Sequence, residues 1–509
     1  MTIAALDSLK PETLKPETLS PSATYPNSRQ LVLLIAITLG AILVHGFHPY
    51  VEDAEIYVPG IKQALNPALY PYNAGFFASH AHLTLFPNLI AASIRLTHLP
   101  TDWALLLWHF FSIFLLLLGC WHVGRIAFRD PLAPWGGVAL VASLLTIPVA
   151  GTALYIMDQY LNTRSLSTPA VIFLVVNVAE RKFLRACTWA LFTAAIHPLM
   201  AVFGVTYAIL LLWFSRRATA TPRPTLAAAV LVPFGLFPPV TDAYREVLNS
   251  HSYFFLLRWE WFEWLGIFGP LIVLVWFVRI AHEQDLPLLA ALCRSLILFA
   301  LMFFLAALII TVPARFTNLA ELQPLRSLHL VYVLLFVFTG GLLAQFVLQR
   351  HVWRWLALFL PICAGMCFAQ RQLFPATRHI EWPGAAPHND WVETFLWIRG
   401  HTPLDAYFAL DPNHMSAAGE DQHGFRAIAE RSMLADNVKD SGAVTMFPAL
   451  AAAWRQQVTA QQGWKTFQAA DFHWLRAEFG VNWVVLQKPG VPGLACPYQN
   501  LTLLVCQID

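Results

Sequence analysis

Along this chain, long runs of apolar residues alternate with short polar connections, at a length that matches a lipid bilayer. A hydrocarbon core of about 30 Å takes roughly 20 helical residues. That window predicts membrane-spanning helices near 30–46, 102–123, 133–155, 165–180, 184–197, 199–214, 223–240, 263–280, 287–312, 325–348 and 352–371, about eleven transmembrane helices in all. His197-Pro198 interrupts the apolar stretch 165–214, which reads either as a turn between two helices or as one kinked helix.

Basic residues fall on alternate connections: Arg125 and Arg129; Arg181, Lys182 and Arg185; Arg216, Arg217 and Arg223; Arg279; Arg350 and Arg354. The positive-inside rule assigns these loops to the cytoplasm and puts the first loop and the C-terminal region outside. Residues 1–29 carry a tandem Leu-Lys-Pro-Glu-Thr repeat and further prolines. They read as a disordered cytoplasmic leader rather than a cleaved export signal.

Two regions break the apolar pattern. The first outer loop, 46–101, predicts short helices over 51–65 and 80–99, with turns at Asn66-Pro67 and Tyr70-Pro71-Tyr72-Asn73. From 372 onward charge returns to the density of soluble proteins. Helical patterns over 389–399, 448–462 and 471–479, with strand patterns over 406–410, 482–487 and 501–508, predict a small α/β domain on the outer face. The fold class is therefore an α-helical polytopic membrane protein over 30–371 with a small C-terminal α/β extramembrane domain over 372–509.

Composition agrees: 57% of residues are hydrophobic and 12% charged, against about 25% charged in soluble proteins. A net charge of +2 gives no reason to expect nucleic acid. Of the seven cysteines, Cys363 and Cys367 lie one helical turn apart in an apolar run and read as packing residues. Cys496 and Cys506 are able to pair if their domain sits in an oxidising compartment.

The chemistry begins with Glu52-Asp53-Ala54-Glu55, directly after the first apolar run. Carboxylates at the mouth of a membrane bundle are expensive to keep and point to function. Asp53 or Glu52 is a candidate general base, and Glu55 with Asp53 a candidate site for Mg2+ or Mn2+. Acids at that place also suit a helix N-terminus without any chemistry. His80 and His82 belong to the same loop. Arg326, in Gln323-Pro324-Leu325-Arg326 and preceded by Arg315, sits at a predicted span mouth. An arginine there grips phosphate, or else snorkels to the interface. The loop 241–262 mixes Asp242 and Arg258 with aromatic rings, a composition shared by sugar grooves and interfacial aromatic belts; Asp158 and Arg164 are a weaker pair of the same kind. The chain contains no Walker-type phosphate loop, GxSxG elbow or HExxH helix, which argues against ATP-driven transport.

This layout resembles the membrane glycosyltransferases of the GT-C class. Val51-Glu52-Asp53-Ala54-Glu55-Ile56-Tyr57 occupies the place of their catalytic acid, soon after the first span. Trp397-Ile398-Arg399-Gly400-His401-Thr402-Pro403-Leu404-Asp405-Ala406 looks like the W-I-R-x-x-T-P-x-D-A opening of the outer domains in many such bacterial proteins. The resemblance implies a GT-C-like, inverting transfer of a sugar from a polyprenyl-phosphate donor to a glycan, lipid or protein acceptor, on the periplasmic face of a bacterial inner membrane. Asp53 or Glu52 would be the base, and Arg326, with Arg315, would hold the lipid phosphate. Tyr57, His80, His82, Asp158, Asp242 and Arg258 are the candidate substrate contacts. The acids here run Glu-Asp-Ala-Glu rather than Asp-x-Asp, which leaves metal use open. Two other classes remain: a transporter or flippase for lipid-linked or small solutes, and a non-catalytic envelope assembly protein.

Overall fold

The computed structural model describes residues 26–217 and 240–508. The leader up to residue 25 and the expected span at 223–240 lie outside the described residues. In chain order the helices are α1 (Ser28–His45), α2 (Ala54–Leu65), α3 (Gly75–Leu83), α4 (Phe86–Thr97), α5 (Thr101–Ala127), α6 (Ala133–Ser143), α7 (Thr163–Ala179), α8 (Phe183–Ile196), α9 (Pro198–Arg217), α10 (Asp242–Ser250), α11 (Trp261–Glu283), α12 (Pro287–Thr311), α13 (Leu328–Leu343) and α14 (Val352–Leu373). Among the described residues, seven segments are long and apolar enough to cross a membrane: α1, α5, α9, α11, α12, α14 and Leu319–Leu348, which contains α13. Helices α6, α7 and α8 are apolar but shorter. Large apolar side chains such as Val32, Ile272, Leu305, Leu356 and Phe368 face outward from these helices. Such a continuous apolar exterior is stable only against lipid, so the chain is a multi-pass membrane protein.

The expected span 133–155 is corrected. Helix α6 stops after 11 residues at Ser143. Residues 144–162 then fold back irregularly, with Pro148 bridged to Tyr155 and with Ala150 and Ala153 at positive φ. Hydropathy does not register this break, because the returning segment is itself apolar. What fixes α6 is its crossing with α13: a Cβ on Gly340 would stand 2.8 Å from Gly137 Cα, and one on Gly136 would stand 2.9 Å from the Gly340 carbonyl carbon. Backbone contact through small residues is how helices pack tightly in lipid. The break at His197-Pro198 separates α8 from α9, which settles that ambiguity as two helices.

The bundle has two distinct ends. At one, Tyr50 Oη donates to Asp102 at the start of α5. At the other, beyond the end of α5, Arg129 pairs with Asp285 in the loop after α11 at 3.0 Å. Helices α1 and α14 emerge side by side at the first end, where the Phe47 N–H donates to the His379 carbonyl at 3.1 Å and the Glu381 N–H to the Phe47 carbonyl at 2.9 Å. The acidic turn and the C-terminal domain therefore share one face.

That domain contains α15 (Asp390–His401), β1 (Tyr407–Ala409), α16 (Phe425–Ala429), β2 (Ser432–Met433), α17 (Lys439–Met446), α18 (Ala451–Ala460), α19 (Ala469–Phe479), β3 (Trp483–Gln487), β4 (Ala495–Gln499) and β5 (Leu503–Gln507). The sheet order is β2-β1-β3-β5-β4, with β1 parallel to β2 and β3 and the β3–β5–β4 ladder antiparallel. Side-chain alternation divides two cores. Phe408 packs with Phe395 and Phe425 on one face, while Tyr407 and Ala409 join Phe472 and Leu475 on the other. Cys496 and Cys506 form a disulfide between β4 and β5. In the Trp397–Ala406 motif, Trp397 stacks on Tyr498, and the Arg399 and Thr402 carbonyls accept from buried Arg431. The motif thus builds the domain rather than a site.

Gly340→Val should destabilise the detergent-solubilised protein by about 1–3 kcal/mol through overpacking at the α6–α13 crossing. Chemical unfolding of wild type and variant measures this.

Candidate functional site

The acidic turn is laced into the C-terminal domain instead of hanging in solvent. The Glu52 N–H donates to the Gln422 carbonyl at 3.1 Å and the Gly424 N–H to the Tyr50 carbonyl at 2.9 Å. Held this way, Glu52 sits in the left-handed region at φ +55. A non-glycine residue kept there is often functional. It precedes α2, so its side chain and that of Glu55 do not share a helix face.

Glu55 is buried and turned away from Asp53. Its carboxylate accepts from the Arg426 and Ala427 backbone N–H groups, both at 2.9 Å, and from the Arg426 guanidinium at 3.3 Å. Arg426 in turn donates to both oxygens of Asp440, at 3.0 and 2.7 Å. Gly424 is required here, because a Cβ would stand 2.7 Å from Glu55 Cβ. Glu55 therefore docks the C-terminal domain, its carboxylate held by Arg426 and the start of α16.

Asp53 stands at the mouth of α2. Lys439 Nζ donates to its Oδ1 at 3.2 Å and also pairs with Glu52. Arg164 lies 3.9 Å from its Oδ2. Arg164 is placed by α7, whose N-terminus Asn162 caps, and by Asp158, which accepts its guanidinium at 2.8 Å and the Asn162 amide at 2.6 Å. Burial pushes the Asp53 carboxyl upward, but Lys439, Arg164 and Arg326 overcome this and hold it at about 2. Although protein surrounds it, the Asp53 side chain keeps 34% of its surface accessible, as befits a group facing a cleft.

Arg326 approaches from the turn before α13, set by Gln323 at φ +43. Its guanidinium lies 5.8 Å from the Tyr253 ring centre, and its Nε is buried without a hydrogen-bond partner. Among the described residues it forms no ion pair, although it lies within the electrostatic reach of Asp53 and Arg164. It borders a small cavity of about 20 Å³ lined also by Thr152, Tyr253, Phe254, Thr311 and Gln323.

Tyr57 faces the same cleft, near Thr163 at 3.5 Å and within the field of Arg164, Asp53 and Arg326. His80 stacks edgewise on Tyr57 and Phe447, and burial lowers its pKa to about 4, so it is neutral. His82, two positions on along α3, is exposed and faces away. Asp242 pairs with Arg245 of its own helix at 2.9 Å, and exposed Arg258 holds the Asn249 carbonyl at 2.9 Å. Neither joins the cleft; His251 and Tyr253 of the same loop do, each within reach of Lys439, Arg326 and Asp53. The side chain of Arg315 lies outside the described residues. His197 enters through the break between α8 and α9, within reach of Arg164, Arg326 and His80.

The site thus gathers Asp53, Glu52 and Asp158 with Lys439, Arg164 and Arg326. The Asp53 and Glu52 oxygens already face an ammonium group, and three cations surround the cleft, a setting that does not suit a divalent cation. Among the described residues, no cluster of three or more His, Cys, Asp or Glu side chains is arranged to hold a metal. What the arrangement favours is an anion beside Arg326 and an ionised carboxylate at Asp53.

Two outcomes follow. Arg426→Leu leaves Glu55 and Asp440 buried without their cation and should destabilise docking by about 3–5 kcal/mol, read as faster proteolytic release of the C-terminal domain. Asp53 lies below its ordinary value of 3.8 when folded, so its ionisation adds stability above that pH, and the contribution is lost as pH falls toward 2. The melting temperature should therefore drop more steeply between pH 4 and 2 in wild type than in Asp53→Asn, as calorimetry would measure. No protein-family model matches this chain, and no curated protein does.

Proposed function

We propose that this protein transfers a sugar from a polyprenyl-phosphate donor to an acceptor hydroxyl at the periplasmic face of a bacterial inner membrane, in the manner of GT-C glycosyltransferases. The reading rests on one observation: the partly buried Arg326, lacking any acid partner among the described residues, lies within electrostatic reach of Asp53. A buried cation without a counter-ion favours binding an anion. The small cavity beside it is lined by Thr311 at the end of α12. The disulfide Cys496–Cys506 suits an oxidising compartment such as the periplasm.

In this mechanism Asp53 takes the proton of the acceptor hydroxyl while that oxygen bonds to the anomeric carbon. The bond from that carbon to the phosphate oxygen breaks, and its electron pair stays on the phosphate, which Arg326 stabilises. Tyr57 and Tyr253 supply ring faces for the sugar, and neutral His80 a hydrogen bond through its unpartnered Nδ1.

Asp53→Asn should lower transfer by about 10²–10⁴-fold while leaving membrane insertion intact. Arg326→Ala should weaken donor binding by about 10–100-fold. Both are measurable with lipid-linked sugar in proteoliposomes. Unchanged glycan products from Asp53→Asn would refute the assignment.

A further inference from the structure

Lys439 is the one cation in the cleft that the C-terminal domain supplies. It is the first residue of α17, whose opening turn is fixed by Asp436 Oδ1 accepting the Val438 and Lys439 N–H groups at 2.7 and 2.6 Å. From there its ammonium reaches Glu52 and Asp53, with only 11% of the side chain exposed. The other cations differ in freedom. Arg164 is committed to Asp158 at 2.8 Å. Arg326 stands alone. Lysine presents a compact charge with rotatable donors on a flexible stem, so it can exchange one acceptor for another without moving its helix.

In the resting arrangement Asp53 is a weak base, because two cations are aimed at its two oxygens. A general base works best with a pKa near the operating pH, and Asp53 lies far below. For Asp53 to accept a proton, a cation has to leave it. Arg326 lies 5.8 Å from the Tyr253 ring centre, Tyr253 packs edgewise on His251 at 5.4 Å, and His251 Nε2 meets Ser441 of α17 at 3.5 Å, so an anion bound at Arg326 lies beside the helix that carries Lys439.

We infer that Lys439 is shared in turn between Asp53 and the donor: the phosphate of the lipid-linked sugar draws the ammonium off the carboxylate, and the base is armed only when donor is present. This rests on the transfer reading above. Lys439 Nζ exchanges its hydrogen bond to Asp53 for one to a phosphate oxygen, and no proton moves in that exchange. Asp53 then takes the acceptor proton, the new carbon–oxygen bond forms as the old one breaks, and Lys439 with Arg326 holds the charge left on the phosphate. Glu52 stays within reach to receive Lys439 again after product leaves.

The test uses the full-length protein in detergent with farnesyl phosphate as probe. Binding is followed by tryptophan fluorescence, and protonation of Asp53 by infrared difference spectra assigned with Asp53→Asn. In wild type, the probe should raise the pH at which Asp53 protonates. Lys439→Gln should bind the probe about tenfold more weakly and show the raised midpoint without probe, and Lys439→Arg should recover the affinity. Wild type that binds farnesyl phosphate with no movement of the Asp53 midpoint overturns the hand-over alone, and needs no variant to fold. Wild type that fails to bind the probe overturns the donor reading together with it.

Discussion

One buried guanidinium holds the two halves of this protein in register. Arg426 lies between Glu55, on the helix that follows the first membrane segment, and Asp440, on a helix of the C-terminal domain. Two carboxylates and one cation would be unstable in a dry interior, since desolvating each ion is costly. The deficit is met by dipoles: the first backbone N–H groups of α16 point at Glu55, and the Asp436 N–H at Asp440 at 2.9 Å. Such a network ties the two halves together at several points, because the Arg426 guanidinium donates to both carboxylates at once. Its geometry decides where α17 begins, and so where Lys439 ends up.

The cleft then follows a different electrostatic logic from the docking network a few residues away. In the network every charge is answered. In the cleft Arg164 answers Asp158, Lys439 answers Asp53 and Glu52, and Arg326 is left over. Burial makes that unpaired cation matter, since a charge facing water would be screened and one facing protein is not. The same surroundings keep His80 neutral, so it adds polarity without adding to the positive field.

Much of this was legible in the chain. Apolar windows located every described long helix, because a lipid-facing surface leaves no room for polar interruption. In the C-terminal domain, strands 406–410, 482–487 and 501–508 were readable from alternation, and the structure places β1, β3 and β5 within them. Strand β2, with two residues, carries no period to detect, and α17 opens on the polar run Lys439-Asp440-Ser441-Gly442. Span 133–155 was over-read because hydropathy does not tell a crossing helix from a short one pinned by glycine contacts. In the site, Asp53 and Arg326 were recognisable from their places beside apolar runs. The tie of Glu55 to Arg426 was not readable, because its partner lies 371 positions further along the chain. Lys439 carried no usable signal: it lies 386 positions beyond Asp53, and only tertiary docking reveals its partner.

The lacing of the acidic turn to residues 422–424 and to Lys439 also sets an order of assembly. The carboxylates leave the ribosome early, but the groups that fix and balance them come from the last fifth of the polypeptide. A partly synthesised chain, with its early helices already in the bilayer, carries Glu52 and Glu55 without the cations that answer them, and Asp53 with Arg164 but not Lys439. Maturation of the cleft therefore waits on delivery of the terminal globular segment to that same face.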